Sequence, residues 1–190
     1  MSRFVLPGAI GLALVGYRGT GKSTVGRLVA GLLGREFLDA DAVLEARLGR
    51  SIRSVFETDG EAVFRDKEEA VLAELTSKPG QTVLATGGGV VLRPGNRAAL
   101  RRFGHVVWLR ADPAVLARRL RHDSARPPLT AAGTLAEIAD VLSAREPLYR
   151  EVAGTVIETG GCPPSEVARL ILTALIPVAC EWQATTGQGG

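Results

Sequence analysis

The sequence predicts an α/β protein, a parallel sheet with helices on both faces. Two observations carry that prediction. Short apolar runs of strand length alternate along the chain with segments whose apolar residues recur at helical spacing. The first such pair is joined by Gly16-Tyr17-Arg18-Gly19-Thr20-Gly21-Lys22-Ser23, which fits the phosphate-loop pattern G-x-x-x-x-G-K-[ST]. The apolar run at 9–15 precedes this motif, and Val25, Leu28, Val29, Leu32 and Leu33 follow it. The motif therefore joins a buried strand to an amphipathic helix, the context its chemistry requires.

The elements follow in order. The first strand is expected at about 9–15, a very short second at Glu36–Asp39, a third at 81–85, a fourth at 105–109 and a fifth at 154–157. Between them, helices are expected at 42–48, at 61–76 after a short helix or turn at 51–56, and at 94–102. A further helix is expected at 113–120, with Asp112 as N-cap and Pro113 at the first helical position. The last two are expected at 134–145 and 165–175. The segment 121–133 is polar and proline-bearing and reads as an exposed loop that could fold over a site. The glycine-rich end, 179–190, reads as a disordered tail. No repeat or linker divides the chain, so 1–178 is expected to form one domain.

The 190 residues suffice for one α/β domain with a real core. With 46% hydrophobic and 23% charged residues, the composition is that of an ordinary soluble globular protein. No apolar run is long enough for a bilayer, and no signal peptide is apparent, so a cytoplasmic location is expected. The net charge of +3 is mild, and no basic tract with interleaved aromatics indicates nucleic-acid binding. Only three of the 23 basic residues are lysines, so arginines, the better forks for carboxylate and phosphate, dominate. Cys162 and Cys180 have no metal-ligand spacing, and the two histidines are far apart.

In an open parallel sheet, ligands bind beyond the carboxyl ends of the strands. Strand one delivers the phosphate loop there. Its glycines let the backbone approach an anion, and the N–H groups at the helix start face it. Lys22 adds a charge for the β- and γ-phosphates, and the Ser23 hydroxyl is placed for Mg2+. Strand two delivers Asp39-Ala40-Asp41. If the backbone is still extended, both carboxylates leave on one side, one for the metal through its water shell, the other for an acceptor hydroxyl. Asp41 as a plain N-cap of the next helix is the competing reading. Strand three delivers Thr86-Gly87-Gly88-Gly89, where backbone N–H groups can approach a small substrate. Arg65 could equally pair with Glu61 or Glu69 at a spacing of four. Arg145 could equally end its helix before Pro147.

Taken together, these motifs resemble the shikimate kinase family: residues 16–24, Asp39-Ala40-Asp41, Phe64-Arg65 with Glu68-Glu69, Gly87-Gly88-Gly89, Arg126-Pro127, and Arg145-x-Pro147-Leu148-Tyr149. The resemblance spans about 9–175 and implies a P-loop kinase fold with a five-stranded parallel sheet in the order 2-3-1-4-5. It implies transfer of the γ-phosphoryl of ATP to the 3-hydroxyl of shikimate, in aromatic amino-acid biosynthesis. It also implies roles. Gly19, Thr20, Gly21, Lys22, Ser23 and Thr24 would hold the ATP phosphates, with Arg126 reaching them from the lid. Arg119 would lie against the adenine. Ser23, with Asp39 through water, would hold Mg2+. Asp41 would bind the shikimate hydroxyls and act as base, Arg65 and Arg145 would bind the carboxylate, and the triplet centred on Gly88 would donate to the substrate. Lys22, Arg126 and the metal would supply positive charge during transfer. Two departures stand out: Pro128 follows Pro127 in the lid, and Cys162 takes about the place of an arginine at the adenine edge. The rivals are a kinase for another small hydroxy acid such as gluconate, and a non-catalytic nucleotide-binding module. No nucleic-acid or membrane partner is expected, and a monomer is.

Overall fold

The computed structural model describes residues 10–77, 80–121 and 134–186. Its sheet has five strands: β1 (Gly11–Val15), β2 (Glu36–Asp39), β3 (Thr82–Ala85), β4 (Gly104–Arg110) and β5 (Thr155–Glu158). All neighbours pair in parallel, in the order β2-β3-β1-β4-β5. β1 is central and buried throughout, which is why it reads as an unbroken apolar run rather than an alternating one. Its residues serve two cores. Leu12 and Leu14 pack with Val25 and Val29 of α1 (Lys22–Leu33) and Val167 and Ile171 of the last helix. Ala13 and Val15 face the other way, toward Leu72, Leu100 and Tyr149. Each buried leucine contributes on the order of 1.5–3 kcal/mol, so the sheet centre is the most strongly anchored part of the chain.

The other helices are α2 (Ala40–Leu48), α3 (Ile52–Ser77), α4 (Pro94–Phe103), α5 (Pro113–Leu120) and α6 (Thr134–Val152), and α7 (Pro164–Thr186) after β5. Several depart from the sequence expectation. α2 begins directly after Asp39, which is its N-cap: Asp39 accepts from the backbone N–H groups of Asp41 and Ala42. The two expected segments at 51–56 and 61–76 are one element, kinked at Gly60 (φ 83°, ψ 170°), a conformation only glycine adopts readily. Their shared interface with α2 around Leu44, Val55 and Phe64 holds the two halves together. Asp112 occupies the N-cap position of α5 without a side-chain capping bond, so Pro113 marks that start rather than the aspartate.

α6 does not stop at Arg145. It runs through Pro147 to Val152, because Tyr149 and Val152 are buried against the sheet. A helix-interior proline costs about 3 kcal/mol, a cost that burial of these two side chains offsets. α7 continues to Thr186, well past the expected end at 175 and through most of the segment for which a tail was expected. Of the expected lid, Arg121 ends α5. The rest, 122–133 with Arg126 and Pro128, lies outside the described residues, as does 187–190.

Candidate active site

The phosphate loop leaves β1 at Gly16 (φ 140°), where a Cβ would lie 2.3 Å from the Leu109 carbonyl of β4. The loop is thus clamped to the neighbouring strand by a close backbone approach. Gly21 (φ 91°) then turns the chain into α1. Lys22 is buried, and its Nζ donates to the Gly16 and Tyr17 carbonyls at 2.8 and 2.9 Å, closing the loop on itself. The Ser23 hydroxyl donates to Asp39 Oδ2 at 2.5 Å. Ser23 lines the phosphate cavity, and this bond brings Asp39, at the end of β2, up beside it.

That cavity, about 330 Å³, is lined by Arg18, Gly19, Gly21, Lys22, Ser23, Thr24, Asp41 and Gly88. On its far side Arg119 of α5 donates to Gly19 O (3.1 Å), Thr159 O (2.5 Å) and Thr159 Oγ1 (3.3 Å). It joins the phosphate loop to the turn after β5. Cys162, on that turn, is half-buried and packs against the core formed by α1 and α7.

A second cavity of about 290 Å³ adjoins the first. Arg18, Asp41 and Gly88 line both. Arg65 of α3 and Arg145 of α6 meet here from opposite directions, together with Gly87, Gly88 and Gly89. The apolar part of the wall is Ile52, Phe56 and Phe64, all from α3. Gly87 and Gly89 leave the space that the Asp41 carboxylate and the Arg65 guanidinium occupy. A Cβ on Gly87 would sit 2.7 Å from Asp41 Oδ1, and one on Gly89 would sit 2.4 Å from the Arg65 guanidinium. The cavity is lined by four arginines (Arg18, Arg53, Arg65 and Arg145), three carboxylates (Asp41, Glu57 and Glu68) and the glycine turn, a net positive and hydrogen-bonding wall that suits a small hydroxylated anion.

The arginines are held in place before any ligand arrives. Arg65 donates to Glu68 Oε2 at 2.7 Å and, through Nε and Nη2, to Glu61 Oε1 at 3.2 and 2.9 Å. Its guanidinium lies 4.9 Å from the Phe64 ring centre. Arg145 donates to the Gly88 carbonyl at 3.2 Å, which also accepts from the Tyr149 hydroxyl. Burial pushes the Glu68 carboxyl up from its ordinary range. Arg65 pulls it down, and Asp41 nearby pushes the same way as burial. Burial likewise drives the Tyr149 phenol up to about 12, so it stays a donor across the physiological range.

The structure thus brings Asp39, Asp41, Arg65, Arg145 and the glycine triplet to the rim that bears the phosphate loop. It corrects the reason given for the aspartate pair. The backbone is already helical at Ala40, so the two side chains are not alternate residues of one strand. Asp39 is the cap and the partner of Ser23, while Asp41 projects from the first turn of α2 to the boundary of both cavities. Arg65 pairs with Glu61 as one alternative had it, but Glu69 instead pairs with Arg93 at 2.6 Å. Sequence reasoning assigned no role to Glu68, Arg18 or Tyr149, nor to the α3 wall. Glu68 stands three residues after Arg65, a helical spacing that could have disclosed it. Ile52, Phe56 and Phe64 carry no mark that separates them from core residues.

The fold and the two joined cavities define a P-loop kinase for a small molecule. The shikimate kinase family model matches residues 18–176. A shikimate kinase from Halorhodospira halophila is 51% identical over 162 residues, 85% of this chain and 91% of its own. The structure of shikimate kinase from Acinetobacter baumannii in complex with shikimate superposes with a TM-score of 0.85, at 42% identity, over 89% of this chain and 94% of its own. A gluconokinase from Sinorhizobium meliloti, at 21% identity and a TM-score of 0.62, shares the fold. The chain belongs to the shikimate kinase family.

Proposed function

We propose that the protein transfers the γ-phosphoryl group of ATP to the 3-hydroxyl of shikimate, as a step of aromatic amino-acid biosynthesis. The observation that carries this reading is that the anion-shaped cavity and the phosphate cavity meet at Asp41 and Gly88. Arg65 and Arg145 clamp the acceptor's carboxylate from two sides. The clamp turns a ring hydroxyl toward Asp41, and the backbone of the glycine triplet closes over the ring. The hydroxyl oxygen then forms its bond to the γ-phosphorus while the bond from that phosphorus to the β–γ bridging oxygen breaks. ADP leaves, and Asp41 receives the hydroxyl proton.

This transfer needs alignment and neutralised charge rather than a protein nucleophile. Lys22 is placed to turn from the loop carbonyls to the β- and γ-oxygens. Arg126, outside the described residues, is assigned the same task from the lid by the family resemblance. Arg119 and Thr159 border the nucleotide on the side away from the acceptor. Ser23 Oγ and Asp39 Oδ2 are hard oxygen donors side by side at the cradle, and they fit Mg2+, which keeps most of its waters and takes few protein ligands. When bound, Mg2+ neutralises triphosphate charge.

No helix among the described residues is long and apolar enough to cross a membrane. A cytoplasmic monomer, the expectation from the sequence, completes the proposal. The test is a phosphorylation assay offering ATP with shikimate or gluconate. Phosphate on shikimate is expected. Turnover of gluconate alone, or nucleotide binding with no turnover of either, would overturn the reading.

A further inference from the structure

Tyr17, the second residue of the phosphate loop, has no part in the roles above, yet it reaches the loop lysine, the core under α5 and α6, and the acceptor cavity. Its backbone carbonyl accepts from Lys22 Nζ and from the Thr20 hydroxyl. Its ring is buried with Ala111 after β4, Leu116 of α5 and Ile138 of α6. Its side chain borders the acceptor cavity. Its phenol oxygen is buried and has no hydrogen-bond partner among the described residues. Packing alone would be served better by phenylalanine, because a buried hydroxyl without a partner carries its full desolvation penalty.

The surroundings supply a partner that is occupied in the free protein. The Gly88 carbonyl has two lone pairs, and Arg145 Nη1 and the Tyr149 hydroxyl take both. Tyr17 is near enough to Tyr149 to be among the groups acting on its phenol. Gly88 also abuts the loop, where a Cβ would lie 3.3 Å from Arg18 N and 3.6 Å from the Tyr17 carbonyl carbon. In the function proposed above, on which this inference rests, the acceptor's carboxylate draws Arg145 away from that carbonyl and frees one lone pair.

We propose that Tyr17 is a positioning residue whose hydroxyl, idle in the free enzyme, hydrogen-bonds to the Gly88–Tyr149 pair when the acceptor engages Arg145. The bond ties the acceptor wall to the phosphate loop, so the acceptor and the γ-phosphate are held in one frame. It forms only after the acceptor binds, so it favours the bound and reacting states over the free one.

Tyr17→Phe in the full-length protein tests this, because it removes the hydroxyl and keeps the ring. The free variant should melt at the same temperature as the native protein or higher. Its KM for shikimate should rise, and its kcat/KM for shikimate fall, about 3- to 10-fold, the worth of one neutral hydrogen bond made in the bound and reacting states alike, and shikimate should raise its melting temperature by less. The KM for ATP should stay within about twofold, since no nucleotide contact is removed. A lower melting temperature for the free variant would show that the hydroxyl already has a partner, and would overturn the proposal. An unchanged kcat/KM for shikimate together with an unchanged shikimate-induced shift would overturn it as well. Tyr17→Leu, which removes the ring too, should lower the free protein's melting temperature; if it does not, the ring is no anchor and the frame is absent. If the native protein fails to phosphorylate shikimate, the proposed function itself has failed; an active native protein matched by an equally active Tyr17→Phe refutes only this inference.

Discussion

The two cavities share Arg18, Asp41 and Gly88 and are otherwise built in opposite ways. The phosphate cavity is largely local. Residues 18–24 supply most of its lining, and its positive character resides in backbone N–H groups, Arg18 and Lys22. The acceptor cavity is assembled at long range. Asp41 comes from α2, Arg65 and Glu68 from α3, the glycines from the turn after β3 and Arg145 from α6. The first is a motif that happens to need a sheet. The second exists only because the sheet order sets those elements side by side. Lesions in the first should disturb the nucleotide and lesions in the second the acceptor, with Asp41 felt where the two meet.

The largest effect is expected there. Asp41→Asn keeps size and shape but cannot take a proton, so turnover should fall by about 10²- to 10⁴-fold with ATP affinity nearly intact. Steady-state kinetics with a separate nucleotide-binding titration would check this, and unchanged turnover would remove Asp41 from the chemistry.

Next in size is the clamp. Arg65→Ala or Arg145→Ala should raise the KM for shikimate by roughly 10- to 150-fold, since a charge-assisted hydrogen bond is worth about 1.5–3 kcal/mol. The KM for ATP should move within about twofold. A larger effect on ATP than on shikimate would erase the division between the cavities. Arg119→Ala is the mirror experiment. It should raise the KM for ATP by about tenfold, the scale of one or two lost polar contacts, and spare shikimate.

The smallest effect is one of stability. The folded Glu68 carboxyl titrates above its unfolded value because it is buried. The contribution of its protonated form is therefore full below about pH 4.5, the unfolded value, and is lost as pH rises through the folded one. Glu68→Gln does not titrate. Measured by urea unfolding, its stability relative to the native protein should improve between pH 4 and pH 7, while its KM for shikimate rises because Arg65 loses a charged partner. A relative loss of stability over that window would mean that the ion pair with Arg65 outweighs burial.

Much of the fold was legible because it follows from local chemistry. The apolar run of β1, the helical spacing after it and the glycines between them fix a strand–loop–helix unit with few alternatives. Pro113 announces α5 in the same way, by its fixed φ. The misread boundaries are places where burial outvotes a local signal. Pro147 would end a helix by propensity, but Tyr149 and Val152 need the sheet and carry α6 onward. Gly60 would separate two helices, but both halves pack on α2.

The site divides the same way. By itself the sequence determined the phosphate loop with Lys22 and Ser23, since the loop's geometry is written in consecutive residues. Its family resemblance named Asp41, Arg65 and Arg145 without showing why they belong together. Tertiary structure alone decided that Asp39 caps α2 while holding Ser23, that Glu68 and Tyr149 brace the two arginines, and that Phe56 and Phe64, which pack in the core beside α2, also wall the acceptor cavity. Side chains far apart in the chain become neighbours only when burial of the sheet's two faces fixes the strand order. No spacing within the sequence records that distance.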